Sequence, residues 1–170
     1  MKDNWEQCFA LVLKHEGGFV NNPKDPGGMT NLGVTKKVWE AFVGREVDEA
    51  EMRSLTPEMV KPLYKKNYWD AIRGDDLPDG VDYATYDLAV NSGTRRAIKM
   101  LQKSAGVPDD GSIGPQTLEA VNDKNPRELA QDICENRLAF LQALPTWDVF
   151  GKGWGRRVAD VEQIAFNMVG

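Results

Sequence analysis

Glu16 and Asp25 are the residues of this 170-residue chain whose types and spacing invite a chemical reading. Glu16 closes an amphipathic helical pattern and is followed at once by Gly17 and Gly18. A carboxylate there meets the unpaired carbonyls and the negative end of the helix macrodipole, where Lys or Arg would be preferred. Such a place favours the protonated form, which a general acid near neutral pH requires. The glycines carry no side chains, so a bulky substrate has room to approach. Asp25 follows among Pro23, Pro26, Gly27 and Gly28. Two carboxyl groups in unlike environments can share the work of breaking a glycosidic bond. One protonates the leaving oxygen, while the other activates water, attacks, or stabilises the sugar cation. Taken alone, Glu16 also reads as an exposed helix end, and Asp25 as part of an Asp-Pro-Gly-Gly turn. Thr30 and Thr35 are hydroxyls able to hold a water or a sugar group, or to serve as strand and cap residues.

The elements that must position these groups are mostly helical. Asp3 with Glu6 three residues later is a capping-box-like start, and Trp5, Cys8, Phe9, Val12 and Leu13 follow with helical spacing. The stretch from Phe19 to Val34 is dense in Asn, Asp, Pro and Gly, which predicts loops and at most a short hairpin around Met29 to Val34. Thr35 can cap the next helix. Thr56-Pro57-Glu58, Pro115 and Pro126 are helix openings with proline at the first position. Helices are predicted from about Thr56 to Ile72, from Val81 to Val90, and around Ala97 to Ala105. A long helix follows Pro126, with Leu129, Ile133, Arg137 and Leu141 on or near one stripe, and the last helix runs from about Trp154. Gly151, Gly153 and Gly155 read as punctuation before that helix. The expected fold class is mainly α with a small loop or hairpin lobe.

Composition narrows the function classes. A net charge of −5 with no dominating basic face argues against nucleic acid as a partner. Cys8 and Cys134 show no metal-ligand spacing and read as buried free thiols, although a disulfide stays open. One histidine, His15, is too few for a multi-histidine zinc site. No metal or organic cofactor is expected. The N-terminal residues do not read as a secretory signal, and no stretch reads as a membrane span. The aromatic residues Trp39, Tyr64, Tyr68, Trp69, Tyr83, Tyr86 and Trp154 are core residues or sugar platforms. Tyr86 and Asn91, beside the Asn-Ser-Gly helix end, are the preferred cleft residues, so the expected substrate-binding set is Thr35, Tyr86 and Asn91.

The run from Glu16-Gly17-Gly18-Phe19 through Asp25-Pro26-Gly27-Gly28-Met29-Thr30 to Leu32-Gly33-Val34-Thr35 resembles the signature of glycoside hydrolase family 108. These are lysozyme-like N-acetylmuramidases of phage endolysins and bacterial secretion-associated proteins. The likeness continues through Tyr68-Trp69-Asp70, Tyr86 to Gly93, Leu101-Gln102, Asp110 to Leu118, and Phe150 to Arg157, and so spans nearly the whole chain. Leu101-Gln102 with the Asp110-Gly-x-Ile-Gly-Pro-x-Thr run is similar to the core of small peptidoglycan-binding modules. The same residues also read as a tight helix–turn–helix corner.

The resemblance implies a lysozyme-like helical fold and cleavage of the β-1,4 bond between N-acetylmuramic acid and N-acetylglucosamine. Glu16 would be the catalytic acid, with Asp25 and Thr30 beside it and Thr35 as the second threonine candidate. The Glu, Asp, Thr order also resembles inverting phage lysozymes, although the residues leave inversion and retention open. A lytic transglycosylase and a non-catalytic wall-binding protein are the alternatives. Residues 1–92 would form the catalytic region and 93–170 a C-terminal region resembling a peptidoglycan-binding segment, packed as one compact unit. The partner implied is the peptidoglycan glycan strand, met by a monomer with no stable membrane insertion. Synthesis in the host cytoplasm and holin-dependent release to the wall would follow, with a specialised secretion route as the alternative.

Overall fold

A computed structural model describes residues 4–21 and 28–169. Asp3 of the expected capping box, and Pro23, Asp25, Pro26 and Gly27 of the expected loop, lie outside the described residues. The described residues form nine α-helices and one three-stranded sheet, a mainly α fold as expected. They cluster into two compact units, Glu6–Asn67 and Met1–Trp5 with Tyr68–Gly170.

The smaller unit holds most of helix α1 (Trp5–Leu13), strands β1 (Val20–Asn21), β2 (Met29–Asn31) and β3 (Val34–Thr35), and helices α2 (Lys36–Val43), α3 (Glu49–Arg53) and α4 (Pro57–Tyr64). The predicted hairpin is β2–β3, and β1 adds a third antiparallel strand that the loop-rich sequence does not announce. Register pairs Val20 with Thr30 and Thr30 with Thr35, so these three side chains form one row across one sheet face. Asn31 and Val34 are paired on the other face and are buried. Asn31 donates its side-chain N–H to the Met52 carbonyl at 2.8 Å, which ties β2 to α3.

Helix α2 opens where expected, because the Thr35 hydroxyl accepts the Val38 N–H at 3.1 Å. Helix α3 is an addition to the predicted elements. Its signal is the Asp48-x-x-Glu51 spacing, and the Asp48 carboxylate accepts the Glu51 N–H at 2.9 Å. The Thr56-Pro57 opening caps α4 through the Thr56 hydroxyl. The predicted helix to Ile72 changes pitch instead: a π-helical turn occupies Lys65–Trp69.

The larger unit is built on α5 (Val81–Ser92), α6 (Thr94–Ala105), α7 (Pro115–Asp123), α8 (Pro126–Gln142) and α9 (Trp147–Met168). Helix α5 is buried almost all round, from Val81 to Ala89, as a central helix must be. Helices α6, α8 and α9 pack on it. Trp5, Trp69 and Tyr86 form a cluster in this unit, with ring centroids 5.4 to 5.8 Å apart. Helix α9 starts seven residues before the expected Trp154, and Gly151, Gly153 and Gly155 lie inside it. Gly151 is a packing residue: a Cβ there would stand 2.6 Å from the Trp147 ring one turn earlier.

Candidate active site

Helix α1 ends at Leu13, and two turns carry the chain on to Glu16 through His15 N–H to Val12 carbonyl (3.0 Å) and Glu16 N–H to Leu13 carbonyl (3.1 Å). The next residue, Gly17, accepts the Leu32 N–H at 3.0 Å. Leu32 and Gly33 are the central pair of the β2–β3 hairpin, and both have positive φ, 52° and 77°. Mirror-image two-residue turns demand this, because their twist matches that of the strands. Glycine adopts it freely, whereas leucine adopts it at a cost of about 1–2 kcal/mol. The strained Leu32 is held from both sides. Its N–H goes to Gly17, and its carbonyl accepts the Tyr64 hydroxyl at 2.6 Å.

The consequence falls on Gly33. A Cβ built there would lie 2.5 Å from the Tyr64 hydroxyl oxygen and 2.7 Å from Glu16 Oε2. The Glu16 carboxylate and the Tyr64 phenol therefore both close on the bare α-carbon of the turn. Tyr64 is itself buried, its ring edge-on to Phe9 at 5.5 Å. Three separate segments, the end of α1, the hairpin turn and the end of α4, thus hold one half-buried carboxyl group in place.

The two threonines differ. The Thr35 hydroxyl is engaged as the α2 cap. Thr30, half-buried and directly across from it, makes no side-chain hydrogen bond among the described residues. Asp25 falls between β1 and β2 in sequence and lies outside the described residues. Among the described residues no group of three or more His, Cys, Asp or Glu side chains is arranged to hold a metal ion.

Tyr86 and Asn91 belong to the other unit. Tyr86 is fully buried, with Trp5 and Trp69 edge-on to it, so its ring offers no face to a sugar in this arrangement. Asn91 accepts a hydrogen bond from Arg137 Nη2 at 3.1 Å. Its neighbourhood is dominated by a buried node around Asp87. Arg137 Nη1 lies 2.7 Å from Asp87 Oδ2, and Arg157 donates to both carboxylate oxygens at 3.0 and 3.1 Å. Burial pushes the Asp87 carboxyl up, but the charges and hydrogen bonds of Arg137 and Arg157 outweigh that and hold it below the usual carboxylate range. This node joins α5, α8 and α9.

A family model described as Glycosyl hydrolase 108 matches residues 9–93, half of the chain. A solved structure of Brucella abortus SagA is 44% identical, covers 98% of this chain and 95% of that one, and superposes with a TM-score of 0.88. The chain belongs to the glycosyl hydrolase 108 family. A second model, described as Predicted Peptidoglycan domain, matches residues 96–159. A comparison with curated proteins finds no match. This member of the glycosyl hydrolase 108 family is accordingly a glycoside hydrolase acting on peptidoglycan, with a mainly α, lysozyme-like fold.

Within the second match, Gln102 is buried and its amide is consumed internally. Its N–H groups reach Asp110 Oδ1 (2.9 Å), the Ser112 carbonyl (2.9 Å) and Thr117 Oγ1 (3.1 Å), and its oxygen accepts the Gly111 N–H at 3.0 Å. In this glycosyl hydrolase 108 chain the Leu-Gln and Asp-Gly-x-Ile-Gly-Pro-x-Thr residues form the tight helix–turn–helix corner. Tyr64, read from the sequence only as a core residue or sugar platform, is the side chain that braces the turn against which Glu16 rests. Its only signal is an aromatic at the end of an amphipathic helix, which is ordinary core patterning.

Proposed function

We propose that this glycoside hydrolase is an N-acetylmuramidase that cleaves the β-1,4 bond between N-acetylmuramic acid and N-acetylglucosamine, with Glu16 as the general acid. The supporting observation is the Glu16 carboxyl group held against the Gly33 α-carbon in a turn braced by Tyr64. A proton donor must be aimed at one oxygen, and an acid fixed by three chain segments has little freedom to miss it. The C1–O bond of N-acetylmuramic acid breaks as Glu16 gives its proton to the leaving oxygen of N-acetylglucosamine. A water on the Thr30 face, losing its proton to Asp25, supplies the oxygen that completes C1. Thr30 is preferred over Thr35 because the Thr35 hydroxyl is spent on the cap. The likeness of the Glu16–Thr35 run to phage enzymes supports a role as an endolysin that a pore-forming partner releases to the wall.

The test is turbidity loss of purified Gram-negative peptidoglycan, followed by mass spectrometry of the released sugars. Glu16→Gln should lower the rate at least about 100-fold while leaving the helical circular dichroism intact. Reducing N-acetylmuramic acid ends are the expected product. Anhydro ends would move the protein to the lytic transglycosylases, and a fully active Glu16→Gln would overturn the assignment of the acid.

A further inference from the structure

One face of the larger unit has a charge pattern that stability does not explain. Arg95, Lys99 and Lys103 recur every fourth residue along α6, and Arg96 lies beside them. Like charges four apart repel one another, and cations in a first helical turn oppose the macrodipole. The first turn of α6 contains no acidic residue, and its N-cap, Gly93, supplies no side-chain acceptor. None of the four cations joins an ion pair among the described residues. All four line an open groove of about 890 Å³ between α6 and α8, and Asp109 is the one acidic residue in its wall. Its apolar part comes from Phe140, Ala139 and Met100, and the Arg96 guanidinium sits 4.4 Å over the Phe140 ring. Local rules broken together on one surface mark a place selected for something other than folding.

We infer that this groove binds the stem peptide of peptidoglycan, with the four cations taking its carboxylates and the Phe140 floor taking the aliphatic segments between them. The inference rests on peptidoglycan being the substrate. Charge chooses the peptide over the glycan: uncharged sugar rings offer these cations no carboxylate, and among the described residues only Arg95, near Asp110, and Arg96, on the Ser92 carbonyl and the Phe140 ring, are engaged. The apolar floor chooses it over a wall polyphosphate, which has no hydrocarbon segment to set there. A volume near 890 Å³ is also within the range of sites that enclose a ligand of a few hundred daltons. The groove lies in the unit that does not contain Glu16, so peptide binding and the proposed acid can be removed by separate substitutions.

The test titrates the Glu16→Gln protein, which lacks the proposed acid and so leaves a glycan probe uncut, with two probes. One is the stem tetrapeptide from Gram-negative sacculi, and the other is an uncharged glycan, a β-1,4-linked N-acetylglucosamine oligosaccharide. Amide chemical shifts are followed by NMR. Saturable shifts at Arg95 to Lys103 and around Phe140 with the tetrapeptide, absent with the glycan, are expected. Lys99→Glu/Lys103→Glu should weaken the tetrapeptide about 10-fold or more, since it removes two attractions and adds two repulsions. Lys103 is exposed and Lys99 half-buried, and the far-ultraviolet spectrum of the variant checks its fold. Absent shifts, shifts unmoved by the double variant, or equal binding of glycan would overturn the inference. Hydrolysis by the wild type is scored separately, so loss of the peptide site and loss of the muramidase reading are told apart.

Discussion

The Tyr64 hydroxyl donates to the Leu32 carbonyl at 2.6 Å, and that bond holds the residue preceding Gly33 in a left-handed conformation. Gly33 in turn is the surface on which the Glu16 carboxyl rests. The Glu16 carboxyl group is therefore coupled to the Tyr64 phenol on α4 through a strained peptide unit.

Adding one methyl group tests the coupling. Gly33→Ala places a Cβ inside contact distance of both Glu16 and Tyr64, at a φ of 77° that L side chains resist. We expect at least about a 10-fold loss of wall hydrolysis and destabilisation of about 1–3 kcal/mol. Gly18→Ala meets nothing within 4 Å and should leave the melting temperature unchanged. Thermal melts and turbidity assays on the pair check this; equal behaviour of the two variants would refute the role of the turn.

Tyr64→Phe isolates the hydroxyl. Its loss leaves the Leu32 carbonyl without this donor, which costs about 1–3 kcal/mol. A positioning role predicts that kcat falls while KM moves little, because the sugar contacts stay and only the aim of the acid changes. A change confined to KM would argue against it.

The Asp87 node governs acid stability. Its carboxyl titrates below the usual range in the folded chain, because Arg137 and Arg157 outweigh burial. A depressed folded pKa contributes stability that is fully present above the unfolded value of about 3.9 and is lost as pH falls through the folded value. Asp87→Asn should cost about 3–5 kcal/mol near pH 7, since it strands two guanidinium groups at a buried site. The gap between variant and wild type should close as pH drops from 5 toward 2. Urea denaturation at each pH measures it, and a constant gap would show that the charge on Asp87 is not what matters.

Cys134 should be silent to thiol reagents in the native state. Burial, the leading influence, pushes its thiol up to about 12 despite nearby Arg137. At pH 8 almost none is thiolate, the reactive form. Cys8 is also a buried thiol outside any disulfide. Ellman titration should therefore read near zero thiols in buffer and two in denaturant, and rapid labelling of native protein would contradict the packing of these helices.

Much of this architecture is legible in the sequence because its signals are local. Thr35 caps α2, and Pro57, Pro115 and Pro126 open helices, since the rules for helix starts involve only a few adjacent residues. Gly151 misleads for the same reason: glycine suggests a break, but here a bare α-carbon admits the Trp147 ring. The aromatic cluster around Tyr86 and the bond from Tyr64 to Leu32 join positions far apart in the chain, which no window of sequence displays. The Asp87 node lay between these cases. An aspartate in an all-buried helix and Arg137 in an apolar stripe are each anomalous alone, and each is the explanation of the other.

Leu32 also marks a position where thermal robustness can be gained. A leucine at φ 52° sits where asparagine or glycine would relax, and Leu32→Asn would produce the Asn-Gly pair that such hairpins prefer. Relief of that strain is worth about 1 kcal/mol. A variant made more heat-tolerant at this position would reveal, in its rate of wall hydrolysis, whether the tension in the turn is incidental or part of how the Glu16 carboxyl group is positioned.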